Sequence, residues 1–193
     1  MSKGTKKDLI ADVALSCFLA SGYSKTTVDE IVRVSGVSKG GIYWYFASKE
    51  DIFWYLVERW FADWMAEFKK ITEENVSTVQ KVTQYCEHFM KRIDASIFML
   101  FVEFLLQANS QEAIDKMTKY YSQALAMQAA EFEAAFARGE LRALDPKLTA
   151  YVLSSILDGI GRHWLIFKDK EVLAKTCQTA LDIFLHGVLN KQK

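Results

Sequence analysis

A lysine and two glycines, Lys39-Gly40-Gly41, lead directly into Ile42-Tyr43-Trp44-Tyr45-Phe46. A glycine inside a helix costs about 1 kcal/mol relative to alanine, so a pair is a poor choice for a helix that only packs. At a helix start the pair removes side chains that would hold the backbone away from a duplex, and Lys39 beside it can reach a guanine edge or a phosphate. Tyr43 can offer a hydroxyl to a phosphate. Thr26, Thr27, Ser38 and Lys49 fall at expected helix starts, where backbone N–H groups favour an anion. Ile42 and Phe46, four apart, share a face and read as anchors, whereas Tyr43 and Trp44 occupy the other side. Two roles stay open for Trp44 and Tyr45: contact with nucleic acid, or packing against the following helix.

The elements that must position these groups are helices. Apolar residues recur at helical spacing nearly everywhere, and period-2 runs bounded by turn residues are absent. The expected fold class is all-α, with about nine helices. The first spans about Thr5 to Ser21, burying Ile10, Val13, Ala14, Cys17 and Phe18 and ending at Gly22. Thr27 caps a short helix through Val34, with Ile31 and Val34 inward, and Gly36 ends it. Ser38 caps the next, Lys39 to Tyr45, and Ser48 with Asp51 as a capping box opens a long one to about Ile71. Further helices are expected at 77–95, 97–108, 111–138, 147–167 and 170–189, with Asp145 as N-cap and Pro146 in the first helical position of the eighth. Residues 1–47 and 48–193 are the expected domains.

Two short helices joined by a tight turn at Gly36 match a helix-turn-helix, in which the second helix enters the major groove. Charge agrees with that end of the chain. The formal net charge is zero, yet residues 1–50 carry seven basic against four acidic side chains, net +3, leaving −3 for the rest. A basic module on a mildly acidic body suits contact with phosphates at one end, though uneven charge alone is equally ordinary.

The stretch TTVDEIVRVSGVSKGGIYWYFASKEDIF, Thr26 to Phe53, resembles the DNA-binding signature of the TetR/AcrR family of bacterial transcriptional regulators, with Gly-Val-Ser, Ile-Tyr and Tyr-Phe at the expected spacing. The resemblance covers about Ile10 to Val57. Later helices resemble the family in length, number and the RGELRALDP junction, Arg138 to Pro146. Gly41 departs from it, because members often place Thr, Ser or Ala there, and this shifts the readout toward Lys39, Tyr43 and Trp44. The resemblance implies a homodimer reading a pseudo-palindromic operator, with a larger domain whose small-molecule effector alters the separation of the recognition helices.

For the dimer, the last two helices offer Leu153, Ile156, Leu157 and Ile160, then Leu181, Phe184, Leu185 and Val188. The family's intersubunit four-helix bundle and packing within one chain both suit such stripes, and Gly159 and Gly161 favour close helix approach. For the effector, Trp60, Phe61, Trp64, Phe68, Tyr85, Phe89, Phe98, Phe101, Phe104, Tyr120, Tyr121 and Trp164 make a ring-rich set that suits a hydrophobic or aromatic ligand, or ordinary core. Glu103 interrupts the apolar run IFMLFVEFLLQ. It would either receive a cationic ligand, with cation–π help from nearby rings, or pair at the surface with a base.

No GxSxG, HExxH or phosphate-loop motif is present, and His88, His163 and His186 are isolated, so an enzyme, a cofactor and a metal are not expected. Cys17, Cys86 and Cys177 lie far apart, as buried thiols of a reducing compartment. With no signal-peptide core and no membrane-length apolar run, the expected location is the cytoplasm. The competing reading is a helical protein-interaction adaptor that has lost operator binding.

Overall fold

The protein, as a computed structural model, describes residues 5–92, 100, 103–104 and 111–189. Eight helices follow one another among them: α1 Lys6–Ser21, α2 Val28–Ser35, α3 Lys39–Tyr45, α4 Lys49–Glu73, α5 Thr78–Arg92, α6 Gln111–Ala137, α7 Pro146–Phe167 and α8 Lys170–Val188. The expected 97–108 helix falls mostly outside the described residues; Leu100, Glu103 and Phe104 are described and helical.

Local chemistry explains the helix ends. Thr5 and Asp8 cap α1 reciprocally: the Thr5 hydroxyl accepts from the Asp8 N–H at 3.2 Å, and the Thr5 N–H donates to the Asp8 carboxylate at 2.8 Å. Gly22 leaves α1 at φ 85 and Gly36 leaves α2 at φ 67, backbone that side chains with a Cβ resist. Thr27 accepts from the Glu30 N–H at 3.1 Å, and Ser38 from the Gly41 N–H at 3.2 Å. Ser48 caps α4 through the Asp51 N–H at 3.0 Å, but the Asp51 carboxylate accepts from the Ala47 N–H at 3.0 Å, one residue before the cap expected to receive it. Asp145 and Pro146 open α7 as expected.

Packing divides the chain into two compact units, Met1–Trp64 with Ser96–Ser110, and Met65–Ala95 with Gln111–Lys193. The division differs from the expected boundary after residue 47, because the 49–64 half of α4 and the 96–110 segment complete the first unit. In that unit Ile10, Phe18, Ile31, Ile42, Phe46 and Ile52 are almost wholly buried. Phe104 stacks on Phe53 at 4.1 Å between centroids and meets Trp54 edge-on at 5.1 Å. It is thus a core ring of the first unit, which corrects its expected place in an effector pocket. Val34, expected inside, is 49% exposed, since the short α2 has room for one inward anchor, Ile31.

The second unit buries Leu153, Leu157 and Ile160 of α7 with Leu173, Cys177, Phe184 and Val188 of α8, and Phe132 of α6 meets Phe184 at 6.1 Å. Five of the residues expected at a dimer interface, Leu153, Leu157, Ile160, Phe184 and Val188, therefore pack inside the chain, while Ile156, Leu181 and Leu185 are half-buried. The exposed apolar face of these helices is a different stripe: Leu148, Tyr151, Val152, Ile166 and Phe167 on α7, and Val172 and Ile183 on α8. Elsewhere in the unit Lys81 is buried but satisfied, donating to Glu131 at 3.1 Å and to the Thr72 carbonyl at 2.6 Å. The three cysteines are buried, and burial pushes the Cys86 thiol up to about 12. Among the described residues no helix is long and apolar enough to cross a membrane.

Candidate functional site

The helix-turn-helix is α2, the Gly36 turn and α3, inside the first unit. Ile42 and Phe46 lie on the buried face of α3, 1% and 2% exposed, and fix which way the helix turns its other side. That side carries Tyr43, 48% exposed, and Trp44, 83% exposed. Of the two roles open to Trp44, packing is thereby excluded, since an indole so bare gains almost nothing from the fold. Tyr45 is half-buried and divides between the two roles.

At the head of α3, Lys39 Nζ stands 2.7 Å from Asp29 on α2, with both side chains more than half exposed. The hydrogen bond to Asp29 raises the lysine's pKa, so the cation is permanent and remains accessible. Gly40 has open space where a Cβ would stand, in keeping with an approach surface. Gly41 answers to a local cause instead: a Cβ there would come within 2.9 Å of Val37 Cγ1 and 3.1 Å of the Ser38 hydroxyl that caps the helix. Its departure from the family pattern is thus tied to the buried Val37 and the cap. Thr27 and Ser38 are exposed caps at the starts of α2 and α3, available to a backbone phosphate.

Two expected phosphate contacts are corrected. Thr26 is 1% exposed, and its hydroxyl donates to the carbonyls of Gly22 at 2.9 Å and Cys17 at 3.2 Å. It pins the connection from α1 to α2. Lys49 Nζ donates to the carbonyls of Tyr23, Thr26 and Ser24 at 2.7, 2.9 and 3.3 Å, and lies 4.4 Å from the Tyr23 ring centroid. Burial lowers its pKa and the Glu103 carboxylate opposes that shift. A lysine coordinated this way holds a turn and leaves no donor for DNA. Sequence reasoning counted Lys6, Lys25 and Arg33 only toward net charge, yet each is exposed and in no ion pair among the described residues. Spacing hid this for Arg33, which stands four residues after Asp29 and three after Glu30, while Asp29 pairs with Lys39 instead.

Glu103 also differs from expectation. Its two oxygens accept from the N–H groups of Tyr23 and Ser24, each at 3.1 Å, within the first unit. A carboxylate satisfied by backbone donors is not a waiting receptor for a cationic ligand.

The rest of the ring set divides between the units. In the first, Phe61 lies 5.6 Å from Trp60 and 6.0 Å from Trp64. In the second, Phe68 and Tyr85 meet edge-on at 5.2 Å and wall a cavity of about 20 Å³ with Lys81, Gln128, Glu131 and Leu153. That is room for one water, far below the roughly 300 Å³ at which effector sites begin. Phe89, Tyr120 and Trp164 are half-buried, with Lys168 5.6 Å from the Trp164 ring; Phe98 and Phe101 lie outside the described residues. The cavity surface is almost entirely apolar, and a polar chain runs beside it: Gln128 donates to the Tyr85 hydroxyl at 2.8 Å and accepts from Ser154 at 3.0 Å. One turn beyond Ser154, burial raises the pKa of Asp158, and burial with the Asp158 charge pushes Tyr121 up to about 12. Asp158, a missed carboxylate, had no sequence signal beyond its place in DGIGRHW. Among the described residues no cluster of side chains suits a metal ion.

Residues 10–56 match the profile of bacterial regulatory proteins of the tetR family, and residues 57–190 match that of the QacR-like protein C-terminal region. The HTH-type transcriptional regulator QacR of Staphylococcus aureus is 28% identical over 120 residues, covering 60% of this chain and 64% of that protein. The fatty acid metabolism regulator protein of Bacillus subtilis is 22% identical, covering 94% of this chain and 95% of that one. Among solved structures, the fatty acid degradation regulator FadR of Bacillus halodurans superposes with a TM-score of 0.83 at 22% identity, over 97% of this chain and 98% of the other.

Proposed function

Since the chain belongs to the TetR family of bacterial regulatory proteins and is a DNA-binding transcriptional regulator, we propose that it is a repressor that reads a pseudo-palindromic operator as a homodimer and is released by a small hydrophobic or aromatic effector. The observation that carries the operator reading is Trp44, 83% exposed beside Tyr43 on a helix whose other face is anchored by Ile42 and Phe46. Exposed rings and a cation at the head of a second helix are the equipment for base-edge and thymine-methyl contacts. Residues 1–47 hold these readers, and 48–193 hold the effector and dimer functions. The protein works in the cytoplasm, beside the chromosome.

Dimerisation is assigned to the outward stripe of α7 and α8, Tyr151, Val152, Ile166, Phe167 and Ile183, in place of the inward one. A Cβ at Gly159 would meet nothing within 4 Å in its own chain, so close approach by a second copy gives that glycine a use. The effector reading rests on the polar relay Tyr85–Gln128–Ser154 beside a small cavity that the ligand must widen, with Asp158 and Tyr121 next to it. Similar solved structures include FadR of Bacillus subtilis in complex with stearoyl-CoA and SmeT in complex with triclosan, ligands that each bring a large apolar part.

The test is footprinting on the intergenic fragments flanking the protein's own gene, at several salt concentrations. A protected inverted repeat with a steep salt slope supports the repressor. Absence of protection there and after random-sequence selection leaves the adaptor reading.

A further inference from the structure

We propose that Glu103 is a positioning residue for operator reading, a carboxylate carried on the 96–110 segment that sets the turn from which the helix-turn-helix begins. The inference rests on the DNA-binding reading above. The turn is held from both chemical sides. Glu103 takes the N–H groups of Tyr23 and Ser24 at 3.1 Å each, and Lys49 takes the carbonyls of Tyr23, Ser24 and Thr26. Two opposite charges thus grip one turn, meeting at opposite poles of the Tyr23–Ser24 peptide unit, and the Thr26 hydroxyl fastens the turn to α1.

Glycine is required there for two reasons. Gly22 has φ 85, and a Cβ on it would stand 3.3 Å from both Glu103 oxygens, tight enough to push the carboxylate back. The Tyr23 ring seals the site, edge-on to Phe53 and Phe104 at 5.2 Å each, so Phe104 inserts the segment while its neighbour Glu103 fixes register. Residue 27, the cap of α2, follows directly, so the direction in which α2 and then α3 depart is set by this turn.

The origin of Glu103 gives the contact a consequence. Lys49 and Thr26 belong to the continuous first stretch of the unit, whereas Glu103 arrives on a segment that α5 precedes and α6 follows in the chain. Without the Glu103 carboxylate the turn loses two acceptors and the N–H groups are left to water. The helix-turn-helix then loses its set direction without any loss of phosphate-facing charge.

The experiment compares full-length wild type, Glu103→Ala and Glu103→Gln for binding to the footprinted operator and to unrelated duplex DNA, together with amide hydrogen exchange of the DNA-free protein. Losing two charge-assisted hydrogen bonds predicts a roughly 10-fold to 100-fold loss of operator affinity for Glu103→Ala. Affinity for unrelated DNA and the salt slope stay unchanged, and exchange quickens at Tyr23 and Ser24. Glu103→Gln, which keeps one acceptor oxygen, recovers part of the operator affinity. A merely structural role would lower binding to both DNAs in proportion to the unfolded fraction, and that outcome overturns the proposal. So does unchanged operator affinity with quickened exchange. Absence of operator binding by the wild type refutes the DNA-binding reading itself, while the exchange data still report whether the clamp exists.

Discussion

The ammonium of Lys39 at the head of α3 lies 2.7 Å from the carboxylate of Asp29 on α2, so the only cation of the recognition helix is oriented by the helix before it. An exposed pair of this kind adds little to stability, yet it decides where the lysine points before DNA arrives. Lys39→Ala is expected to weaken operator binding about 5-fold to 100-fold, with the salt slope falling by about one if the lysine meets a phosphate and unchanged if it meets a base. Asp29→Ala is expected to strengthen binding to DNA of any sequence about 2-fold to 5-fold at low salt, because a carboxylate facing the phosphates is gone. Fluorescence anisotropy with specific and unrelated duplexes measures both. Weaker binding by the Asp29 variant would make the pair a necessary orienter.

Trp44→Ala should separate reading from folding. With 83% of the residue exposed, its removal shifts thermal stability by no more than about 0.5 kcal/mol. Operator affinity should fall about 10-fold or more, and Tyr43→Ala should act in the same direction. A large drop in melting temperature with no change in operator affinity would return the indole to the core.

Lys49→Ala is the converse case. Its ammonium serves three carbonyls of the turn at 23–26, two of them part-buried, so its loss is expected to cost about 1–2 kcal/mol of stability by leaving those acceptors unmatched. Calorimetry should record that loss while the salt slope of DNA binding stays at the wild-type value. A reduced slope with an unchanged melting temperature would make Lys49 a phosphate contact after all.

These three residues show where the sequence was legible. Thr27, Ser38 and Asp145 cap helices through bonds to residues three positions on, and such bonds are visible in spacing alone. The Ile42–Phe46 anchor pair and the exposed Tyr43 and Trp44 follow from the same periodicity. Lys49, Thr26 and Glu103 were misread because their partners lie between 4 and 80 residues away, and a polar side chain at a helix start looks the same whether it faces solvent or a carbonyl. On α7 periodicity supplied two apolar stripes. Nothing local told which would be covered by Phe132 and Phe184 and which would stay bare.

That ambiguity can be tested at the interface. Ile183→Glu, or Tyr151→Glu, is expected to yield a folded monomer, because both side chains are exposed within the chain. Leu157→Glu, 3% exposed, is expected to unfold the second unit. Light scattering and circular dichroism distinguish these outcomes. A dimer that survives both outward substitutions would move the interface elsewhere.

Glu140 predicts an acid limb. Its hydrogen bonds to Thr78 and Arg138 hold its carboxyl down to about 2, and one of them caps α5, the Thr78 N–H donating at 2.9 Å. The folded value is depressed, so the stabilisation is complete above the unfolded value near 4.5 and disappears as pH falls toward 2. With the side chain 32% exposed and screened, it amounts to roughly 1–2 kcal/mol. Thermal melts of wild type and Glu140→Gln should differ at pH 6 and converge near pH 2. A constant difference would assign the effect to packing.

The first unit closes its core with Phe104, which stacks on Phe53 from a segment separated from Trp64 by the start of the second unit. During synthesis the operator-reading end therefore leaves the ribosome early and remains unfinished. At roughly 5–20 residues per second, the gap between Trp64 and Phe104 lasts about 2–8 s, during which Tyr23, Phe53 and Trp54 lack their covering ring. A nascent chain stalled in that interval would present this aromatic surface to chaperones.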